Sequence, residues 1–242
     1  VAFIEHKKLA VAVAKQFSGL GVTEPLVEKI VEEQKLDAEN PLRWSDETLR
    51  GFATALRRKT KPMLIAANKC DLPTAAENVK RLQLEFPNYK IIPCSADAEL
   101  TLKMAAKAGL IKYVPGNSDF EIVNDPSLSQ QQRTALDFIK TNVLGAYGST
   151  GVQQAINAAV FELLGYVAIF PGGVNKLADQ FGRVLPDCFL MPPKTTALDF
   201  AFKLHTDFGK NFIRAIDVKK KLPVGKDHVL QNRDVIEIVS GK

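Results

Sequence analysis

Apolar positions in the first sixty residues recur at helical spacing. Phe3, Leu9, Val13 and Phe17 fall on one face, Gly19 and Gly21 break the chain, and Val27, Ile30 and Val31 mark a second helix beginning at Thr23. Asn40 and Pro41 end that stretch, and Ser45 is a favourable N-cap for a third helix whose stripe is Leu49, Phe52, Ala53 and Leu56. The period then changes. Residues 62–67 form a continuous apolar run, the pattern of a strand buried in a parallel sheet, and residues 90–94 form a second. Between them, Thr74 and Glu77 make a capping box for a helix carrying Val79, Leu82 and Leu84. A strand-helix-strand unit of about 30 residues has the size of a right-handed crossover, so the two strands are predicted to run parallel and to end on one crevice.

Helical spacing resumes over residues 95–108, with Gly109 as the cap, and a connection rich in Pro, Gly and Asp leads to Ser129. Helices over 129–144 and 150–164 follow, separated by Gly145, Gly148 and Gly151. From Tyr166 onward short β-type runs and turns dominate, with one helix near 196–206, which predicts a small α+β domain.

Composition narrows the class without choosing the chemistry. A chain of 242 residues, 46% hydrophobic and 24% charged, can bury a sizeable core in one large or two modest domains. Cys70, Cys94 and Cys188 are odd in number and far apart, and there are three histidines, so neither a disulfide scaffold nor a metal cluster is expected. The most apolar window, residues 158–170, carries Glu162 and Gly165, so no membrane partner is expected and a cytoplasmic setting fits. The net charge of +5 is uneven, with 12 Lys and Arg against 8 Asp and Glu from residue 164 onward and 20 against 19 before it. That balance is compatible with a nucleic-acid partner for the C-terminal part, and sequence-specific DNA binding is not expected. The chain opens on Val1 inside an amphipathic segment, which reads as a piece of something longer.

The chemistry sits at the predicted strand ends. Asn68-Lys69-Cys70-Asp71 follows the first strand, and Cys94-Ser95-Ala96 follows the second about 25 residues later. Together they resemble the base-recognition motifs of the P-loop GTPases. A carboxylate at Asp71 can accept from the N1–H and N2–H2 of guanine, a donor pair that adenine lacks. The resemblance implies that Asn68 ties the loop and approaches the base edge, that the Lys69 stem lies over the ring, that Ala96 donates its N–H to O6, and that Ser95 holds its loop through backbone hydrogen bonds. Asp97 stands where many GTPases have lysine. Read without the resemblance, Asn68 to Asp71 is an Asx turn after a strand.

The phosphate half of such a site is missing from the sequence. Nothing matches G-x-x-x-x-G-K-[ST] or a strand ending in D-x-x-G, and the glycines from 145 to 151 read as a loop or helix cap. On the order of 150 upstream residues are inferred from the usual order of these elements. The chain alone is therefore expected to bind nucleotide weakly and to be inactive, with Mg²⁺ held by residues upstream; no catalytic residue is assigned.

Residues 196–209, with a predicted strand at 212–218 and the closing run Asn232-Arg233-Asp234-Val235-Ile236-Glu237-Ile238, resemble the TGS domain, a β-grasp fold. Leu198, Phe200, Phe202 and Leu204 are expected to pack its helix on the sheet. His205 reads as a capping histidine rather than a catalytic one. Lys210, Arg214, Lys219, Lys220, Lys221 and Lys226 are candidate RNA-phosphate contacts, with a solvated hairpin tip as the plainer account.

A G domain with helices before its N-K-x-D strand and a TGS domain at its end resembles the YchF/Obg-related GTPases, in the archaeal and fungal branch that keeps N-K-x-D. The resemblance implies an α/β fold: the latter part of a helical insertion (1–60), the C-terminal half of a partial P-loop GTPase domain (61–163), and an α+β TGS domain (164–242). It implies GTP or GDP as ligand and a ribosome or RNA partner. Two alternatives stay open: an RNA- or ribosome-binding TGS protein with a vestigial nucleotide site, and an ATPase like other YchF members.

Overall fold

A computed structural model describes residues 2–123, 125–179 and 181–241. The side chains of residues 2–7, Phe3 among them, lie outside the described ones. The chain divides into two compact units, Val1–Ile65 with Gln83–Lys90, and Ala66–Leu82 with Ile91–Lys242.

The first unit is helical: α1 (Ala2–Gln16), α2 (Glu24–Glu33) and α3 (Asp46–Thr60). Val27 and Ile30 are fully buried, and Ala10, Val22, Val31, Phe52 and Leu56 close a small core around them. Ser45 caps α3 by accepting from the Thr48 N–H at 3.2 Å, and the Trp44 indole donates to the Asp37 carbonyl at 2.7 Å while its ring meets Phe52 edge-on. The stripe on α3 differs from the sequence expectation. Leu49 is exposed, Ala53 too, and the buried line runs through Phe52, Ala55 and Leu56, because only that side faces α2.

Two short strands, β1 (Ile65–Ala67) and β2 (Ile91–Pro93), form a two-stranded sheet, flanking α4 (Ala75–Glu85) in sequence. Ile65 N–H bonds to the Lys90 carbonyl and Cys94 N–H to that of Ala67, so the partners ascend together and the strands are parallel, as the crossover length predicts. The apolar run 62–67 overstates β1: Met63 precedes it and is exposed, as is Ala66, since no third strand covers that edge among the described residues.

Next come α5 (Ala96–Lys107), the short antiparallel pair β3 (Ile111–Lys112) and β4 (Glu121–Ile122), and α6 (Gln130–Ile139). The helix α6 runs on through a π-helical stretch, Lys140–Leu144, into α7 (Gly145–Tyr147), and α8 (Val152–Asn157) continues the same way through Ala158–Leu163. Leu102, Val143, Leu136 and Leu144 form the core between α5 and α6.

The C-terminal part is a five-stranded sheet in the order β6-β5-β9-β7-β8. Its strands are β5 (Val167–Pro171), β6 (Phe189–Met191), β7 (Phe212–Asp217), β8 (Leu222–Val224) and β9 (Val235–Ser240); β5 and β9 are parallel, the other neighbours antiparallel. Between β6 and β7 lie α9 (Ala197–Leu204), with a Thr196–Asp199 capping box, and α10 (Thr206–Lys210). The face of α9 on the sheet is Ala197, Phe200, Ala201 and Leu204. Phe202, expected inside, is half exposed and lies over Gly209, where an added Cβ would come within 2.2 Å of the ring. At about 100° per residue, position 202 falls roughly opposite the stripe made by 197, 200 and 204, on the outer side of the helix. His205 ends α9 and begins α10, its Nδ1 accepting from the Asp207 N–H at 3.2 Å, the capping role read from sequence.

Candidate nucleotide-binding site

Parallel pairing brings the two predicted loops side by side at the C-terminal ends of β1 and β2. Three backbone and side-chain bonds clamp them: Cys94 N–H to Ala67 O (2.9 Å), Cys70 N–H to Cys94 O (3.0 Å), and Ala96 N–H to Asn68 Oδ1 (3.1 Å). Asn68 thus ties the two loops to each other. The Ala96 amide, one of the unsatisfied donors at the start of α5, is taken up by Asn68, so a base carbonyl arriving there must share or displace that bond. Ser95 is buried and accepts from the Ala98 N–H at 3.3 Å, capping α5.

Lys69 adopts φ +67°, an uncommon conformation for a lysine, which turns the chain sharply between Asn68 and Cys70. Asp71 is half-buried and its carboxylate has no hydrogen-bond partner among the described residues. It lines one end of a cleft of about 490 Å³ with Ser95, Asp97 and Ala98, whose far wall is Thr134, Ala135 and Phe138 of α6. A free acceptor pair and an apolar wall in a volume typical of small-ligand sites can take a planar base.

Burial, aided by the neighbouring Asp71 carboxylate, pushes the Cys70 thiol up to about 11, and burial pushes Cys94 up as well. Both are protonated structural thiols rather than nucleophiles at neutral pH. The Tyr147 hydroxyl, its acidity lowered chiefly by burial, donates to the Cys70 carbonyl at 3.1 Å and braces the first loop from α7.

The second loop rests on a buried polar network that sequence reasoning missed. Glu99, on the first turns of α5 and 5% exposed, accepts at one oxygen from Thr150 Oγ1 (2.6 Å) and Tyr113 Oη (2.7 Å), with Lys103 at 3.9 Å from the other. Thr150 closes the circuit by accepting the Ser95 N–H at its carbonyl, 2.8 Å. Beside it Gly151, at φ +79°, lies against the Pro93 carbonyl. Removing the carboxylate in Glu99→Ala strands the buried Thr150 hydroxyl and the half-buried Tyr113 hydroxyl, at up to about 1–3 kcal/mol each. Thermal denaturation is expected to rank wild type above Glu99→Gln and both above Glu99→Ala; an alanine variant as stable as the glutamine one would remove the network from this account.

Of the basic residues proposed to meet RNA, Lys219, Lys220 and Lys221 share the β7–β8 turn, Arg214 lies on β7, Lys210 ends α10, and Lys226 follows β8. Lys220 is tied to the buried Asp217 at 2.9 Å, and Lys219 donates to the Arg233 carbonyl. Burial works to raise the Asp217 carboxyl, but its bonds from Lys220 outweigh it and hold the group below the usual range. Two of the six cations are thus already engaged within the fold. Among the described residues no group of three or more His, Cys, Asp or Glu is placed to hold a metal ion, and no described residue is assigned to Mg²⁺.

Two loops clamped together at parallel strand ends, followed by a β-grasp sheet, define part of a GTPase-type α/β domain joined to a TGS domain. Residues 66–173 match the G4 motif-containing domain of the Obg-like GTPase YGR210-like family, and residues 180–240 match the TGS domain. The chain belongs to the YchF/Obg-related GTPases with a C-terminal TGS domain. It is 44% identical over 237 residues to a GTP-binding protein of Methanocaldococcus jannaschii, covering 98% of this chain and 59% of the relative. A GTP-binding protein of Schizosaccharomyces pombe is 32% identical over 191 residues, 75% of this chain and 46% of the relative. The crystal structure of a GTP-binding protein from Pyrococcus horikoshii OT3 superposes with TM-score 0.68 at 43% identity, over 96% of this chain and 61% of that one. The chain therefore spans roughly half to three-fifths of the length of the relatives it matches.

Proposed function

We propose that this chain supplies the guanine-recognition part of a GTP-binding protein that hydrolyses GTP. The observation that carries the reading is the Asn68 Oδ1 to Ala96 N–H bond, which fixes the two loops beside the unpartnered Asp71 carboxylate at one end of a common cleft. In this reading Asp71 takes the N1–H and N2–H2 of guanine, Ala96 turns its amide to O6, Lys69 covers the ring, and Asn68 and Ser95 hold the loops. GTP or GDP is the ligand, and Mg²⁺ accompanies the phosphates on residues other than those described. Three free cysteines, two of them buried, fit a reducing cytoplasm, and among the described residues no helix is long and apolar enough to cross a membrane.

Parallel titrations of labelled GDP and ADP, against residues 1–242 and against the protein from its natural start, test this. Preference for GDP over ADP by at least tenfold in the longer protein is expected, with much weaker binding to residues 1–242, which lack phosphate-cradling amides. Equal affinities would favour the ATPase reading, and no binding by either would favour a vestigial site.

The basic β7–β8 turn supports a second proposal, that the TGS domain associates with RNA or the ribosome.

A further inference from the structure

The TGS sheet carries a cleft of about 670 Å³ away from the base-recognition loops, between the end of α8's π-helical extension and the turn that precedes β9. Lys219, Asn232 and Arg233 stand on one side, with Phe161 and Phe170 among the apolar lining. We infer that this cleft binds one nucleotide of a single-stranded nucleic acid, its phosphate held by Lys219 and Arg233 and its base laid against Phe161. The inference rests on the RNA-association reading and names its site and chemistry.

Three observations support it. Cation and aromatic side chains share one concavity, the combination that takes a phosphate and a base together, whereas a bare anion would leave the aromatic wall unused. The donors are held ready. Lys219 places one N–H on the Arg233 carbonyl and keeps two for a ligand, while Asn232 accepts the Ala168 N–H at its oxygen and keeps its NH₂ group. Arg233 sits at φ +69° in a turn held on every side: its N–H bonds Ala168 O at 2.7 Å, Asp234 N–H bonds Gln231 O, and Gln231 N–H bonds Asp234 Oδ2. A strained arginine kept in place by that many bonds is the kind of feature found at ligand sites. Glu162 also borders the cleft and is engaged within the fold.

The test is fluorescence anisotropy of labelled twelve-residue oligo(U) and oligo(dT) on the full chain at several salt concentrations, with unlabelled UMP as competitor. Arg233→Gln is expected to weaken oligomer binding about tenfold and to lower the salt slope by about 0.7, the contribution of one phosphate on a single strand. Phe161→Ala should weaken it about tenfold with the slope unchanged. Lys203→Gln, an exposed cation of α9 outside the cleft, should change affinity less than twofold. Oligo(U) above oligo(dT) assigns the site to RNA, equal affinities assign it to single strands of either kind, and UMP competing at oligomer-like concentration assigns it to free nucleotides. Binding that Lys226→Gln weakens while Phe161→Ala and Arg233→Gln do not overturns the cleft but keeps the RNA reading. No binding by the wild-type chain overturns both. Circular dichroism of each variant separates lost binding from lost fold.

Discussion

Asp71→Asn is expected to lower GDP affinity at least a hundredfold and to raise that for xanthosine diphosphate above it, in the protein from its natural start. Asp71 offers acceptors only, and guanine offers two adjacent donors; two charge-assisted bonds at about 1.5–3 kcal/mol each correspond to roughly two to four decades of affinity. The asparagine keeps one acceptor for N1–H but turns an NH₂ donor toward N2–H2, so donor meets donor. Xanthine has a carbonyl at that position, and the new amide donor finds an acceptor. The cleft itself is unchanged by the swap, because Asp71 makes no hydrogen bond with the described residues that the fold needs. Isothermal titration of GDP, xanthosine diphosphate and ADP against both proteins reads the outcome. Undiminished GDP binding would take Asp71 out of base recognition, and ADP binding tighter than GDP in the unsubstituted protein and unchanged by Asp71→Asn would mean an adenine site.

The parts of the site that could be read from the sequence are those written in consecutive residues. Asn68 to Asp71 and Ser95-Ala96 each follow an apolar run, and a crossover of fixed hand and length leaves parallel neighbours as the ordinary outcome, so their meeting follows from local pattern. Glu99, Tyr113 and Thr150 could not be read this way. Their bonds span 14 and 51 positions, and a glutamate on a helix or a threonine after a glycine is ordinary until the fold brings them together. Helix faces were only partly legible. Leu49 fits an apolar stripe as well as Ala55 does, and the neighbouring elements decide which side is covered; Phe202 is apolar but falls opposite the face of α9 that meets the sheet. The π-helical stretches at 140–144 and 158–163 carry no periodic signal of their own, since an inserted residue shifts the register without changing composition. Arg233 was passed over because its significance lies in a left-handed turn and a cleft formed by residues some 70 positions away.

Gly151→Ala is expected to be the most damaging single methyl group in the second unit. The glycines at 148 and 151 have similar left-handed φ, +75° and +79°, so backbone strain of about 1–2 kcal/mol is common to an alanine at either. They differ in what the new Cβ meets. At Gly148 nothing lies within 4 Å, whereas at Gly151 the Cβ would stand 1.9 Å from the Pro93 carbonyl oxygen, 2.9 Å from its carbon and 3.0 Å from Cys94 Cα. These are backbone atoms and cannot swing aside. Relief requires β2 or the 149–151 loop to move, and both carry the site: Cys94 N–H bonds Ala67, Ser95 N–H bonds Thr150, and Thr150 Oγ1 bonds Glu99. A destabilisation of about 3–5 kcal/mol follows, against about 1–2 kcal/mol for Gly148→Ala. At roughly 2–4 °C per kcal/mol for a chain of this size, the melting midpoint should fall by about 6–20 °C in the first variant and a few degrees in the second. Melting followed by far-UV circular dichroism compares them directly. Guanine affinity, measured well below both midpoints, should drop in Gly151→Ala and hold in Gly148→Ala, because only the first displaces the Ser95-Ala96 loop. Equal losses at the two glycines would show that left-handed strain alone sets the cost and that the close approach to β2 does not position the base-recognition loop.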